Sequence, residues 1–165
     1  MAYGGKPNSE FCMDSLLAEL KTISVANGRW SDVRTVVMPD YAPESDVMFQ
    51  AETPSLHVWV MGSGGQEGLI SRARRSLEVW IYGVVKQDRG AQTAILRLAE
   101  DVRSVMIMNP ERDYPGLSVA NTWGHFTEEQ AGGFSFLVDR NEQGKSIGEF
   151  RSEWKVVYNY DNPNG

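Results

Sequence analysis

Few side chains in this sequence stand at spacings that could do chemistry. The glycine-rich run Gly62-Ser63-Gly64-Gly65-Gln66-Glu67-Gly68 is the first to weigh, as a phosphate cradle. Such a loop needs a Lys and then a Ser or Thr at its end, opening a helix, so that backbone N–H groups and an ammonium meet the phosphates. Here the run leads into Leu69 and a group of arginines, so a mobile hairpin tip is expected instead. The two histidines, His57 and His125, and the single Cys12 show no zinc-ligand spacing. Cys12 falls near the apolar side of a predicted helix and reads as a small core residue. Ser63, His57 and a carboxylate form a nucleophilic set only on paper, because no strand-to-helix elbow presents the serine. Glu128-Glu129 reads as a solvated loop, with no partner segment to place a second carboxylate at glycosidase distance. The expectation is therefore no catalytic residue, no metal, no cofactor, and a chain that is not an enzyme.

Two other groups bear on partners. Arg72, Arg74 and Arg75 place three arginines in four positions beside the glycine tip of an acidic protein. They read either as a solvated strand end or as an anchor for an acidic partner surface, since arginine is favoured at interfaces. Trp59, Trp80, Trp123 and Trp154 all fall in predicted strands. Trp80 and Tyr82 point away from the face that carries Val79 and Ile81, so they need a cover of their own. That cover is either a second packed layer or a subunit interface, where Trp and Tyr are enriched. Arg72, Arg74, Arg75, Trp80 and Tyr82 are thus the candidate partner-interface residues.

The elements that position these residues follow from periodicity. In the segment Leu77 to Val85, the residues Leu77, Val79, Ile81 and Val85 share one face, a period of two that marks a strand against a core. After the polar break Lys86 to Gly90, the residues Ala91, Ala94, Ile95, Leu98, Val102, Val105 and Met106 recur at spacings of three and four. They form one helical stripe. Asp88 is expected to cap that helix and Pro110 to stop it. An earlier helix is expected from Glu10 to Ala26, capped by Asn8 or Ser9 and closed by Asn27-Gly28. Strands are expected at Asp32–Met38, Leu56–Met61, Leu117–Trp123, Phe134–Val138 and along a last stretch. In that last stretch Phe150, Trp154, Val156, Tyr158 and Tyr160 share a face. The acidic loop 40–54 carries Val47, Met48 and Phe49, which dock on the body or on a neighbour. A turn is expected at Tyr114-Pro115-Gly116, and a polar hairpin loop from Asp139 to Gly148. The sum is an α+β fold: a mostly antiparallel sheet with two helices on one face and extended hairpin loops. It forms a single domain over 1–165 whose tails, 1–8 and 161–165, are expected to be flexible.

Composition sets outer bounds. A chain of 165 residues suits one domain with a sizeable core, and 41% hydrophobic with 23% charged residues is ordinary globular material. No apolar run reaches the roughly 20 residues that cross a membrane. The lack of an apolar stretch near Met1 and the lone cysteine point to cytoplasmic synthesis. A net charge of −6 argues against a broad nucleic-acid grip, which needs clustered Lys and Arg. It suits a wall past which DNA slides without sticking.

In its order of elements the chain resembles the tail terminator proteins, also called tail completion or neck proteins, of long-tailed bacteriophages. The resemblance rests on a helix ending in Asn27-Gly28, a valine strand closed by Pro39, and the strand Leu56–Met61. It continues through the long glycine loop into Val79-Trp80-Ile81-Tyr82, the helix Ala91–Met108, and a final Trp154-Lys155-Val156-Val157-Tyr158. The chain departs from the pattern in its long loop 40–54 and in an insert around Gly124 to Gly133. The resemblance implies a virion protein that forms a hexameric ring at the head-proximal end of the tail tube. The ring stops tube growth, meets the head connector, and lets DNA pass through its lumen without specific binding. It implies no catalytic residue, and it makes Arg72, Arg74 and Arg75 a grip on tube or connector. Another head–tail joining or tail tube protein, and a small-ligand-binding domain, remain as alternatives.

Overall fold

Alternation decides the central strand. Leu77, Val79, Ile81 and Val85 all turn into one buried cluster, and the residues between them turn the other way. A computed structural model of the chain describes residues 7–40, 48, 50–64, 74–108, 125–140 and 143–159. Its elements are α1 (Asn8–Leu20), a short 3₁₀ turn (Val25–Asn27), β1 (Thr35–Val37), β2 (Ser55–Ser63) and β3 (Arg74–Gln87). They continue with α2 (Ala91–Met108), β4 (His125–Arg140) and β5 (Ser146–Asn159). The strands form one sheet in the order β1-β2-β3-β5-β4. β1 runs parallel to β2, and every other neighbouring pair is antiparallel. Both helices pack on one face, so the fold is α+β as the sequence implies.

The main core lies between that face and the helices. α1 supplies Cys12, Leu16 and Leu20, and α2 supplies Ile95, Leu98 and Val102. The sheet answers with Leu56, Val58, Val79, Ile81, Phe150, Trp154 and Val156. Each large apolar side chain buried there contributes roughly 1.5–3 kcal/mol before entropy is subtracted. Two buried polar side chains inside this layer are satisfied: the Trp154 indole donates to Ser152 Oγ at 2.9 Å, and that hydroxyl donates to the Ile81 carbonyl at 3.3 Å. Cys12 is a fully buried core residue.

Several boundaries differ from expectation. The first helix stops at Leu20 rather than Ala26. Thr22 Oγ1 donates to the Glu19 carbonyl at 2.6 Å, the Asn27 side chain donates to the Thr22 carbonyl at 2.8 Å, and Ser24 Oγ accepts from the Asn27 N–H at 3.2 Å. These short polar side chains compete with the backbone for its own hydrogen bonds and break the helix. Its cap residue is Pro7, which makes no side-chain cap, so neither Asn8 nor Ser9 serves there and the tail does not extend to residue 8. Only Thr35–Val37 of the expected Asp32–Met38 strand is paired, because Asp32 Oδ1 accepts the Val25 N–H at 2.7 Å and holds that end in the loop. Asp88 does not cap α2: the Gly90 carbonyl takes the Ala94 N–H, and Asp88 pairs with Lys145 instead. Residues 125–133, within the stretch that departs from the family pattern, are strand. β4 begins at His125 and carries a bulge between Glu129 and Phe134, where Gly133 adopts φ 57°. The bulge needs that left-handed turn, which a glycine adopts without penalty. Pro110, the turn 114–116, the strand 117–123, Tyr160 and the tails 1–6 and 161–165 lie outside the described residues, as do Val47 and Phe49.

Candidate functional site

The residues weighed for chemistry do not converge among the described residues. His57 is fully buried, with Nε2 3.0 Å from Ser55 Oγ, and burial pushes its pKa below the usual 6.5. Ser63 sits six residues further along β2, about 20 Å away at ~3.3 Å per strand residue. The two therefore do not meet. Gly62 and Ser63 belong to β2, and Gly64 donates its N–H to the Ser76 carbonyl at 2.8 Å, so the start of the glycine run is a strand end. Residues 65–73 of the hairpin tip, Arg72 among them, lie outside the described residues. Glu129 is not in a solvated loop but in β4, half-buried, accepting from Arg103 Nε at 3.2 Å and Nη2 at 3.3 Å. Among the described residues no group of three His, Cys, Asp or Glu side chains stands ready to hold a metal ion.

Of the three arginines only Arg75 has a described side chain. Arg74 opens β3 opposite Asn159, and only its backbone is described. Arg75 lies opposite Tyr158 and is half-buried. It shares the register that carries Leu77, Val79 and Ile81 onto the helical face.

Trp80 and Tyr82 are on the face away from the helices, as alternation requires. That face carries a second, smaller apolar cluster of Met48, Trp59, Tyr82 and Val84, with Trp80 and Ile147 packed against it. Tyr82 meets Trp59 edge-on at 4.9 Å and is itself buried, with 7% of its surface exposed. Met48, from the acidic loop, supplies the cover and docks on the body. Trp80 is half-covered. The Arg151 guanidinium sits 4.8 Å above its ring, and the indole donates to Glu78 Oε1 at 3.3 Å. A cation over an aromatic face is worth ~0.5–1 kcal/mol where solvent reaches it.

Toward β4 the same face opens into a groove of about 300 Å³ lined by Tyr82, Ser135, Leu137, Glu149 and Arg151. Burial first, and the neighbouring Asp139 carboxylate second, raise the Glu149 pKa above its ordinary value. The groove ends at the outer strand. β4 is one edge of the described sheet, and it exposes three successive apolar residues: Phe136 at 45%, Leu137 at 58% and Val138 at 42%. Phe136 stands opposite Phe150 and Leu137 opposite Glu149, so the three alternate between the helical face and the aromatic face. Sequence reasoning passed over them. The signal was present in the uninterrupted run Phe134-Ser135-Phe136-Leu137-Val138, which carries apolar residues on both faces and neither charge nor proline. Natural edge strands carry charges, prolines or bulges that discourage pairing, and β4 has its bulge only upstream of this run.

What this arrangement offers is a binding rim, with backbone hydrogen-bonding groups along an edge and apolar side chains above and below it. Among the described residues no helix is long and apolar enough to cross a membrane. Comparison with protein-family models and with curated proteins gives no match to this chain.

Proposed function

We propose that this chain is a structural assembly protein of a virion: a ring-forming subunit that caps the head-proximal end of a bacteriophage tail tube and joins it to the head connector. The observation that carries the reading is the apolar rim Phe136–Val138 on the edge of a sheet whose two helices occupy a single face. A surface of that kind is suited to protein association. The resemblance described above motivates the reading, and the net charge of −6 suits a lumen through which DNA passes without adhering. In this reading the ring acts by shape. Side-to-side contacts close on themselves, one end matches the tube and the other does not, so growth halts. The test is light scattering of the purified chain alone and with tail tubes, with negative-stain images of both samples. Closed rings, free or seated on one end of the tubes, are the expected result. Open filaments of the chain itself favour a tube protein, and naked tube ends in the mixture overturn the reading.

A further inference from the structure

The described sheet has two edges, and their directions are complementary. β1 runs with β2, β2 against β3, β3 against β5 and β5 against β4, so β1 and β4 point in opposite senses. A second copy generated by rotation about an axis roughly along the strands therefore brings its β1 antiparallel to the β4 of the first. No subunit has to be inverted. The exposed residues also ask for a strand rather than a flat partner. Phe136 and Val138 are on one face and Leu137 on the other, all exposed, so a helix or surface lying on either face leaves the rest uncovered. A strand laid alongside covers both faces and pairs the edge.

We infer that the outer edge of β4 is a seam that takes the β1 edge of a second copy of this chain, head to tail. This rests on the assembly reading above and names its side-to-side contact. Face matching restricts the register. Val36 stands opposite Leu56 on the helical face, while Val37 stands opposite His57 on the aromatic face. One register that respects both faces sets Phe136 against Met38 of the second copy, Leu137 against Val37 of the second copy, and Val138 against Val36 of the second copy. Every pair is apolar, and Met38 is itself 42% exposed. The seam has defined ends. Ser135 meets Pro39 of the second copy, which has no N–H to give. Arg140 meets Arg34 of the second copy, a like-charge pair that stops the pairing there. Because the two surfaces differ, the contact is heterologous and generates a ring or a filament, whereas β4 pairing with itself closes at two and leaves the β1 edge unused.

The experiment is a mixing assay with two variants, Leu137→Lys on β4 and Met38→Lys on β1. Both sites are solvent-exposed, and the melting temperature of each variant checks its fold. If a lysine variant does not fold, Leu137→Thr or Met38→Thr takes its place and the same outcomes apply. The wild-type chain is expected to scatter as a multiple of 18.5 kDa, and each variant alone at 18.5 kDa. An equimolar mixture of the two is expected at twice the subunit mass, since one variant keeps an intact β4 edge and the other an intact β1 edge. Leu96→Lys, at an equally exposed apolar site on α2, keeps the wild-type mass. The seam is overturned if either edge variant alone retains the wild-type mass, or if the mixture remains at 18.5 kDa. Loss of assembly in Leu137→Lys with none in Met38→Lys overturns it in favour of two-fold pairing of β4. A wild-type chain that stays at 18.5 kDa at every concentration also overturns it, while the assembly reading is then judged separately by capping of tube ends.

Discussion

Gly83→Ala tests the centre of the fold with one methyl group. Gly83 lies in β3 directly opposite Phe150 of β5, and Phe150 is 1% exposed. A Cβ at Gly83 would stand 2.1 Å from Cε1, 2.6 Å from Cζ and 2.7 Å from Cδ1 of that ring. Carbon atoms pack best at ~3.5–4.0 Å, so the ring must shift by more than ~1 Å. It has little room, because the tilted rings of Phe134 and Phe136 lie 5.1 Å and 6.5 Å away, centroid to centroid. Overpacking of a tight core costs ~1–3 kcal/mol, and a clash with three ring atoms takes the upper end. Against this, replacing glycine by alanine reduces the freedom of the unfolded chain and stabilises by ~0.4–1 kcal/mol. The clash wins, leaving a net loss of ~2 kcal/mol. At ~2–4 °C per kcal/mol for a chain of this length, the melting temperature falls by ~4–8 °C. The assay is thermal unfolding by circular dichroism, with Gly62→Ala as the comparison. A Cβ at Gly62 meets only Glu78 Oε2 at 3.6 Å, an ordinary contact, so that variant is expected to melt at or slightly above the wild type. Adding Phe150→Leu to Gly83→Ala should recover part of the loss, since the two sites share one space. If Gly83→Ala melts no lower than Gly62→Ala, the close approach of the two strands is wrong.

Other perturbations read other parts of the structure. Asp101 is buried at 2% exposure, and its carboxylate accepts the Trp30 N–H at 3.1 Å and the Ser31 N–H at 2.8 Å, so Asp101→Ala should cost ~1–3 kcal/mol by orphaning both donors. A shift in Trp30 fluorescence should accompany that loss, because Trp30 is 68% exposed and is held against Arg97 by this loop. Burial lowers the His57 pKa from its usual 6.5, so the unfolded chain binds this proton more readily than the folded one. The stability it contributes is complete above pH ~6.5 and declines as pH falls toward the folded value; His57→Gln should remove that part of the slope in a series of urea melts. Arg103→Ala removes a half-exposed ion pair with Glu129 and a guanidinium 4.5 Å above the Phe134 ring, for a loss of ~1 kcal/mol in all. Amide exchange in β4 around the bulge should quicken in that variant more than exchange in β2.

Strong local periodicity made part of this structure legible. α2 was readable because seven apolar residues repeat on one stripe, and six of them are fully or nearly fully buried. The two faces of β3 were readable for the same reason. Much of what was not legible depended on a partner distant in sequence. Glu128-Glu129 looks like loop chemistry, yet β5 pairs with both as strand and Arg103 of α2 holds Glu129 in place. The first helix was overextended because Thr22, Ser24 and Asn27 read as tolerable helix residues, whereas their side chains take over the backbone bonds. Tyr82 was assigned to the correct face, but its burial comes from Met48, 34 positions away in a loop that shows no periodicity. The apolar rim was hidden by its own consistency: an unbroken hydrophobic run reads as interior, and only the strand order reveals that β4 has no further neighbour in the described sheet.

That rim is also braced, and bracing matters to how it can bind. The residues just upstream of it are fixed from the helical layer. Arg103 grips Glu129 on one side of the bulge and lies over Phe134 on the other, while Phe134 packs on Phe150 and on Trp154. On the other side the rim is paired residue by residue with β5, from Phe134 opposite Ser152 to Arg140 opposite Ser146. An edge held in this way has already lost most of its conformational freedom when the subunit folds. Ordering an interface strand otherwise costs ~0.5–1.5 kcal/mol for each side chain immobilised on association. A short seam of three apolar pairs gains little area, so it depends on that cost having been met in advance. In a closed ring it depends as well on the last contact being intramolecular, which raises its effective concentration without any new surface. The single helical layer thus serves two ends at once, burying the main core and holding rigid an edge strand of the described sheet.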